Sequence, residues 1–194
     1  MSSVVCVDID RAKLRMAANN ASIYGVDPSR ILFVEGNAVE VLALYKDGKM
    51  SDSSKSKDIN TPDAVNATKE ICKGYTICGY DLLPSNIDCV FLSPPWGGMD
   101  YLKAGNSGYE LSKCIKVNGA DPSNDKSGCD GDELLSLSAI AAKNKSVVYF
   151  LPKNVNGFNI GMSAWNVGYR KGIEMEQNML NGKLKTVTVY LTEY

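Results

Sequence analysis

Apolar runs and periodic apolar stripes alternate in the first part of the chain. Residues 4–9 (VVCVDI) form a run that predicts a buried strand. Asp10 can cap the helix that follows, and Gly25 is a typical residue for its end. The apolar stripe of that helix consists of Leu14, Ala17, Ala18 and Ala21. Residues 31–34 predict a second strand and residues 38–45 a short helix.

Buried strands are predicted again in the second half of the chain. Residues 87–92 and 147–151 are short, strongly apolar runs. Residues 173–180 and 184–191 predict a closing antiparallel pair, because Asn181-Gly182 between them is a typical hairpin turn. With the earlier elements, this order predicts an α/β fold that ends in a hairpin.

One further helix is predicted over residues 132–145. Asp132 and Glu133 lie at its start, and Lys143 and Lys145 at its end, where their charges suit the helix dipole. Its inward-facing residues are expected to be Leu134, Leu137 and Ala141.

Two stretches interrupt the pattern, at about residues 46–80 and 105–131. They are interpreted as loop-like insertions in a single domain that spans residues 1–194. Residues 46–60 are rich in Ser, Lys and Asp, which is typical of a disordered or solvated segment. The remainder of the first insertion is ambiguous, with one helix over residues 64–73 followed by a loop.

The composition narrows the classes of function. The formal net charge is −1, so no global basic field attracts nucleic acid, and any RNA contact must be local. The chain has no histidine, which removes the usual general base and the commonest metal ligand, so no metal is expected. No run is long enough to span a bilayer. The six cysteines form no C-x-x-C pair, which favours a reducing intracellular compartment.

Residues 93–98, Ser-Pro-Pro-Trp-Gly-Gly, directly follow the predicted strand at 87–92. Two consecutive prolines fix φ and remove backbone donors, so the chain turns rigidly there. Trp96 is therefore held at the carboxyl end of a strand, the edge at which open α/β sheets bind ligands. The two glycines after it allow a flat ligand to approach closely. The motif indicates stacking on a planar ring and favours a nucleobase.

Four stretches of the chain resemble the trimethylguanosine synthase family of RNA cap guanine-N2 methyltransferases. They are VVCVDIDRAKLRMAANNASIYGV, VFLSPPWGGMDY, SVVYFLPKN and IEMEQNMLNGKLKTVTVY, in the family's order. The resemblance implies a Rossmann-like class I methyltransferase sheet with helices on both faces and a C-terminal antiparallel hairpin. It also implies S-adenosyl-L-methionine as the cofactor. The implied reaction methylates the guanine N2 amine of a 7-methylguanosine cap and gives 2,2,7-trimethylguanosine.

The resemblance assigns cofactor binding to Asp8, Asn37, Ser93 and Pro94. Asp8 ends the first predicted strand, where an acid accepts hydrogen bonds from ribose hydroxyls. The alternative is an ordinary turn or cap acid, although Asp10 fits the cap role better. Asn37 lies where the family usually has an aspartate that accepts a hydrogen bond from the adenine amino group. An amide oxygen accepts more weakly than a carboxylate, and a plain turn asparagine is the alternative.

For the capped substrate, the resemblance implies Trp96, Asp100, Tyr101 and Lys153. The 7-methylguanine ring is cationic, so stacking on Trp96 adds a cation–π attraction of ~1–2 kcal/mol, with core packing as the alternative. Lys153 stands where the family has an arginine for the cap phosphates; a lysine binds phosphate as a point charge, or simply faces solvent. Ser93 and Trp96 are the expected catalytic residues. Ser93 would orient the guanine N2 amine. The alternative is that its hydroxyl forms a hydrogen bond to the local backbone.

The family's glycine-rich cofactor loop precedes the strand that corresponds to residues 4–9, and only three residues precede that strand here. In the family, the strand before this loop lies centrally, between those that end at Asp8 and Ser93. The sequence therefore predicts a truncated domain that lacks its first central strand, binds the cofactor weakly and has little activity alone.

Three functions remain open. The first is the cap methyltransferase, and the second is a non-catalytic or degenerate cap-binding module. The third is a methyltransferase for another planar amino group, in nucleic acid or protein. The implied partner of the first is a 7-methylguanosine-capped small RNA, such as an snRNA or snoRNA. A monomer without a membrane partner is expected, in the nucleus or the cytoplasm.

Overall fold

The computed structural model describes residues 3–48, 69–98, 101–102, 105, 108–117 and 128–193. The chain divides into two compact units, residues 1–85 and residues 86–194, and each has its own four-stranded sheet. In both units, parallel strands are flanked by helices, which is the mixed α/β class that the sequence predicts. Among the described residues, no helix is both long and apolar enough to cross a membrane.

The first unit alternates strands and helices in chain order. Its elements are β1 (Val4–Asp8), α1 (Arg11–Ile23), β2 (Ile31–Glu35), α2 (Ala38–Lys46), β3 (Glu70–Cys72) and β4 (Tyr75–Cys78). The sheet order is β1-β2-β4-β3, in which β1, β2 and β4 are parallel and β3 is antiparallel to β4. The elements predicted before residue 47 are confirmed, with ends within two residues of the predicted positions.

The start and end of α1 follow from local chemistry. Asp10 Oδ1 accepts hydrogen bonds from the backbone N–H of Ala12 at 2.9 Å and of Lys13 at 3.4 Å. Gly25 has φ +67°, a left-handed conformation that only glycine adopts without strain and that stops the helix. The cap role predicted for Asp10 is confirmed.

Helices cover both faces of the first sheet. Neighbouring residues of a strand point to opposite faces, so Phe33 and Val34 of β2 enter different clusters. Phe33 packs in one cluster with Leu14 and Ala18 of α1, whereas Val34 packs in another with Val41 of α2. All five side chains are buried. The prediction of helices on both faces is therefore confirmed for this unit.

A network of ion pairs ties β3 to α1. The carboxylate of Glu70 accepts hydrogen bonds from Arg15 Nε at 2.8 Å and from Arg11 Nε at 2.9 Å. Arg11 also pairs with Glu35 at the end of β2. The hydrogen bonds from Arg15 and Arg11 lower the pKa of Glu70 to about 2. These contacts hold in place an edge strand that no sequence pattern predicted.

The second unit is built on a sheet with the order β5-β8-β10-β9. Its elements are β5 (Ile87–Leu92), α3 (Leu111–Cys114), β6 (Lys116–Val117), β7 (Cys129–Asp130), α4 (Gly131–Ala141), β8 (Ala142–Pro152), α5 (Gly157–Val167), β9 (Gly172–Leu180) and β10 (Lys183–Thr192). β5 and β8 are parallel, so their carboxyl ends meet at one edge of the sheet. β10 is antiparallel to both β8 and β9.

The predicted C-terminal hairpin is confirmed. β9 and β10 pair from Gly172 opposite Thr192 to Leu180 opposite Lys183. Asn181 and Gly182 in the turn have φ +51° and +72°. Two consecutive residues with positive φ are typical of the type I′ turn, for which Asn-Gly is the preferred sequence.

β1 and β5 are edge strands of their respective sheets. Among the described strands, each of them therefore pairs on one side only.

The helix predicted over residues 64–73 is wrong where it can be compared with the structure. Residues 70–72 and 75–78 form the β3–β4 hairpin, and Lys73 and Gly74 in its turn have φ +53° and +89°. The strands form because pairing of β4 with β2 buries alternate apolar side chains, which outweighs the weak helical pattern. Residues 49–68, which include most of the predicted disordered segment, lie outside the described residues.

The helix predicted over residues 132–145 is too long. α4 ends at Ala141, and Lys143 and Lys145 belong to β8, so no basic residue lies in the last turn of the helix. Leu135 is fully buried, whereas Leu137 is only half-buried. Pairing of β8 with β5 extends the strand toward its amino end and takes these residues from the helix.

Two further segments differ from the predictions. The stretch 105–131, expected to be a loop, contains the short elements α3, β6 and β7. α5 was not predicted at all; Asn156 caps it by accepting from the N–H of Phe158 at 3.0 Å and of Asn159 at 3.2 Å.

All six cysteines are free thiols.

Candidate functional site

Two carboxylates, those of Asp8 and Glu35, end neighbouring strands at the carboxyl edge of the first sheet. Asp8 ends β1 in register with Glu35 at the end of β2, and the N–H of Gly36 donates to the Asp8 carbonyl at 3.1 Å. Glu35 is paired with Arg11. Asp8 Oδ1 accepts from the N–H of Asp10 at 2.8 Å, and the other carboxylate oxygen has no partner within the described part of the chain. Of the two acids, Asp8 is the one that can accept from a ligand.

Asn37 follows β2 and caps α2. Its Oδ1 accepts from the N–H of Val39 at 2.9 Å, and its side chain is buried. Its backbone N–H donates to the Tyr80 hydroxyl at 2.9 Å, which in turn donates to Glu40 at 2.9 Å. The capping bond is what the turn-asparagine interpretation expects. An adenine amino group would have to share an oxygen that already accepts one hydrogen bond.

Tyr80 is a residue of this edge that sequence reasoning missed. A Cβ on Gly36 would lie 2.0 Å from Tyr80 Cε1, so the ring packs directly on the Gly36 backbone and excludes any larger residue there. Burial and the bond to Glu40 raise the pKa of Tyr80 to about 12, which keeps the hydroxyl protonated. Only the pairing of β4 with β2 brings Tyr80 to the turn, and no local motif signals it.

The proline turn leaves the second sheet at the carboxyl end of β5, beside the carboxyl end of β8. Ser93 is exposed, and its hydroxyl has no hydrogen bond to any described residue. Gly97 and Gly98 have φ +86° and +62°. A Cβ on Gly97 would lie 3.0 Å from the carbonyl oxygen of Cys114, so this glycine also lets the turn pack against α3.

Trp96 is half-buried and fixed on two sides. Its Nε1 donates to the carbonyl oxygen of Phe150 in β8 at 3.1 Å. Its ring centroid lies 5.5 Å from that of Phe150, at 40°, and 5.9 Å from that of Tyr101, at 76°. Phe150 also stacks on Phe91 at 6.5 Å, and the Phe91 side chain is 63% exposed. Trp96 is thus anchored at a surface of aromatic rings rather than enclosed in the core.

Asn154 holds the segment that carries Tyr101, and sequence reasoning missed this residue too. Its Nδ2 donates to the carbonyl oxygens of Tyr101 at 2.7 Å and of Gly105 at 3.2 Å. Its own carbonyl accepts from the N–H of Tyr109 at 3.1 Å. Asn154 is buried, and its Oδ1 has no partner among the described residues. The one sequence signal was its position directly after Lys153, at the end of a predicted strand.

The remaining predicted residues are placed as follows. Lys153 is exposed and directly follows β8, at the same sheet edge as the proline turn. Pro94 is half-buried in that turn. Asp100 lies outside the described residues. The second unit therefore brings together Ser93, Pro94, Trp96, Tyr101 and Lys153, while Asp8 and Asn37 lie in the first unit.

Parallel strands flanked by helices, with a Ser-Pro-Pro-aromatic turn at the carboxyl end of one of them, are consistent with the Rossmann-like fold of methyltransferases. The family model of RNA cap guanine-N2 methyltransferases matches residues 1–194, and the chain belongs to this family. It is also 28% identical, over 109 residues, to trimethylguanosine synthase of Schizosaccharomyces pombe. That match covers 56% of this chain and 30% of the relative, so the chain spans less than a third of that protein's length.

Proposed function

We propose that this chain binds a 7-methylguanosine RNA cap and methylates the guanine N2 amine with S-adenosyl-L-methionine, giving 2,2,7-trimethylguanosine. The observation that carries the proposal is the fixed position of Trp96. Its indole is anchored by a hydrogen bond at a strand end, with the exposed Ser93 and Lys153 at the same sheet edge. Family membership supports the same reaction.

The anchored indole supplies a physical reason to prefer the methylated cap. Because the Nε1 hydrogen bond and Phe150 already fix the ring, little side-chain freedom is lost when a base stacks on it. The delocalised positive charge of 7-methylguanine adds ~1–2 kcal/mol of cation–π attraction over neutral guanine. That energy corresponds to a roughly five- to thirtyfold preference for the methylated nucleotide.

The residues of the first unit fit the methyl donor, S-adenosyl-L-methionine, in part. Asp8 is a half-buried carboxylate at a strand end with one oxygen available, which suits the two hydroxyls of a ribose. Asn37 fits the adenine less well, because its oxygen caps α2. Bound there, S-adenosyl-L-methionine would supply a methyl group already activated by its sulfonium. We expect weak donor binding by this chain for that reason.

The protein's part in the reaction is mainly alignment. Orientation of two reactants can lower a barrier by ~7–11 kcal/mol, and the stacked base and Lys153 on the cap phosphates would provide it. The N2 lone pair is shared with the guanine ring, and the amine proton becomes acidic as the new C–N bond forms. Ser93 would accept from this amine and orient it, and the proton can leave through Ser93, a turn carbonyl or water. No histidine is needed for this step.

A fluorescence titration tests the proposal directly. The chain has two tryptophans, Trp96 and Trp165, so a Trp165→Phe variant leaves the proposed platform as the sole indole. We expect 7-methylguanosine diphosphate to quench it saturably, and GDP to need a five- to thirtyfold higher concentration. A Trp96→Phe variant is the matched control and should show no saturable quenching. Equal affinity for the two nucleotides would refute the proposal.

Two further measurements separate the alternative functions. Calorimetry with S-adenosylhomocysteine distinguishes an enzyme from a non-catalytic cap-binding module, which would not bind it. Methyl transfer to 7-methylguanosine diphosphate, compared with GDP, distinguishes a cap methyltransferase from one that acts on other planar amino groups. Robust turnover by the purified chain would contradict the expectation of weak donor binding.

The proposed partners follow from the substrate. We propose that 7-methylguanosine-capped small RNAs, such as snRNA or snoRNA, are the substrates and that the protein acts as a monomer. We also propose that residues 1–194 act as one methyltransferase domain, in the nucleus or the cytoplasm. Six free thiols suit a reducing compartment of this kind.

A further inference from the structure

One stretch of the chain carries a local net positive charge because it lacks acidic residues. Residues 134–173 contain no acidic residue, although the whole chain has a formal net charge of −1. The basic residues of this stretch are Lys143, Lys145, Lys153, Arg170 and Lys171. A local excess of one sign attracts oppositely charged ligands even when the net charge of the protein is near zero. α5 lies within this stretch.

α5 has an exposed apolar face with an aromatic residue at each end. Phe158, Met162 and Trp165 are four and three residues apart, so they share one side of the helix. Their side chains are 76%, 45% and 54% exposed. Ile160 and Ala164 are on the buried side of the helix, at 2% and 0%. Phe158 and Trp165 are about 10 Å apart along the helix axis.

Cations lie at the Trp165 end of this face, and one more precedes the helix in the chain. The Arg170 guanidinium carbon lies 3.8 Å from the centroid of the Trp165 ring. It is fixed there, because Arg170 Nη1 donates to the Trp165 carbonyl at 2.6 Å and to the Tyr169 carbonyl at 3.0 Å. Lys145 Nζ lies 3.5 Å from where a Cβ on Gly168 would stand, just past the end of α5. At the other end, Lys153 precedes the helix.

The start of α5 lies near the proposed cap site. β8 ends at Pro152, at the sheet edge that also carries the proline turn. α5 begins five residues later, at Gly157, and five residues of chain span at most about 17 Å. The start of α5, which carries Phe158, therefore lies within about 17 Å of the end of β8.

We propose that the outer face of α5 binds the single-stranded nucleotides that follow the cap on the substrate RNA. This inference rests on the proposed function, because that function supplies a cap with an RNA chain attached. Bases would stack on Phe158 and on the exposed part of the Trp165 ring that Arg170 does not cover, with phosphates near Lys153, Lys145 and Arg170. Stacking on aromatic rings, together with nearby cations, binds single strands without regard to sequence. A second copy of this chain would bring two stretches of like charge together and is disfavoured.

Three probes test the proposal: 7-methylguanosine diphosphate, a 7-methylguanosine-capped decauridine and the same decauridine without a cap. A double variant, Phe158→Ala with Trp165→Ala, should bind the capped RNA at least about thirtyfold more weakly, as expected for the loss of two stacked bases. Its affinity for 7-methylguanosine diphosphate should not change. Trp165→Phe alone, which keeps an aromatic ring, should retain most of the RNA affinity.

A second arm tests the role of charge. Lys145→Gln should weaken binding of both RNAs and make it less sensitive to salt, by about 0.7 in the logarithmic slope for each phosphate that the protein no longer neutralises. Two exposed residues outside the stretch provide matched controls. Tyr24→Ala removes an aromatic ring that is 83% exposed, and Lys183→Gln removes an exposed cation. Neither should alter RNA binding.

The outcomes separate this proposal from the function on which it rests. Equal affinity of the unmodified chain for the capped RNA and for 7-methylguanosine diphosphate would overturn the RNA surface. Unchanged RNA affinity in the double variant, with a change of oligomeric state in light scattering, would show a protein interface instead. If 7-methylguanosine diphosphate does not bind, but uncapped RNA binds through Phe158 and Trp165, the proposed function fails and the RNA surface stands.

Discussion

Replacement of Asn154 by alanine should loosen the proposed cap site while leaving the fold nearly intact. The side chain donates two hydrogen bonds, to the carbonyls of Tyr101 and Gly105. Each hydrogen bond contributes about 0.5–1.5 kcal/mol net. Their loss should therefore destabilise the position of the Tyr101 segment by ~1–3 kcal/mol. The backbone bond from Tyr109 to the Asn154 carbonyl is retained. The effect should therefore be concentrated on the segment that carries Tyr101.

The expected loss of ligand affinity follows from the ring that Asn154 positions. Tyr101 packs edge-to-face against Trp96, and aromatic pairs of this kind contribute ~0.5–1.5 kcal/mol. If that pair no longer fixes the indole, the affinity for 7-methylguanosine diphosphate should fall by about two- to twelvefold. Asn154→Asp should be worse than Asn154→Ala, because a carboxylate cannot donate to two carbonyls and would be buried beside them.

Asn156→Ala is a matched control two residues away. It removes two bonds as well, from Phe158 and Asn159, and should cost about 1 kcal/mol as a lost helix cap. The Asn156 side chain has no hydrogen bond to the described residues of the Tyr101 segment. Titration of both variants in the Trp165→Phe background, with urea unfolding alongside, provides the comparison. Equal losses of nucleotide affinity in the two variants, or no loss with Asn154→Ala, would refute a positioning role for Asn154.

Three further changes test the first unit. Gly36→Ala should destabilise it by ~1–3 kcal/mol in urea unfolding, because the new methyl group collides with Tyr80; unchanged stability would contradict the packing described. The Glu70 pKa of about 2 stabilises the fold above pH 4.5, and this contribution is lost as pH falls from 4.5 to 2. Glu70→Gln should therefore flatten the pH dependence of the unfolding free energy in that range; an unchanged profile would disprove the linkage. Asn37→Asp keeps an acceptor for the N–H of Val39 and adds charge, so calorimetry should show tighter binding of S-adenosylhomocysteine, whereas Asn37→Ala should lose about 1 kcal/mol of stability.

Elements governed by local chemistry could be predicted from the sequence. The strand at Ile87–Leu92 was predicted to the residue, because a short apolar run before two prolines has few other structures available. The turn at Asn181-Gly182 was predicted for a similar reason, since both residues tolerate positive φ. The cap of α1 at Asp10 depends only on the two N–H groups next to it in the chain.

Elements that depend on tertiary pairing could not be predicted in this way. β3 and β4 have only three and four residues, and they form strands because β2 and the ion pairs of Glu70 are already in place. Tertiary pairing also explains why α4 is shorter than the helix predicted over residues 132–145. Pairing with β5 extends β8 back to Ala142. α5 has a polar, asparagine-rich start that resembles a loop, although Asn156 in fact caps it.

The candidate site shows the same division between local and distant causes. The motif identified Trp96, because the two prolines beside it determine where the ring is presented. The residues that fix that ring are remote in sequence: Phe150 accepts its hydrogen bond, and Asn154 reaches back to Tyr101. Asn154 acts only because β8 and the proline turn end at the same sheet edge, which no residue pattern near either of them reports. Motifs therefore identify the groups that would touch a ligand, whereas the groups that hold them rigid emerge only from the sheet register.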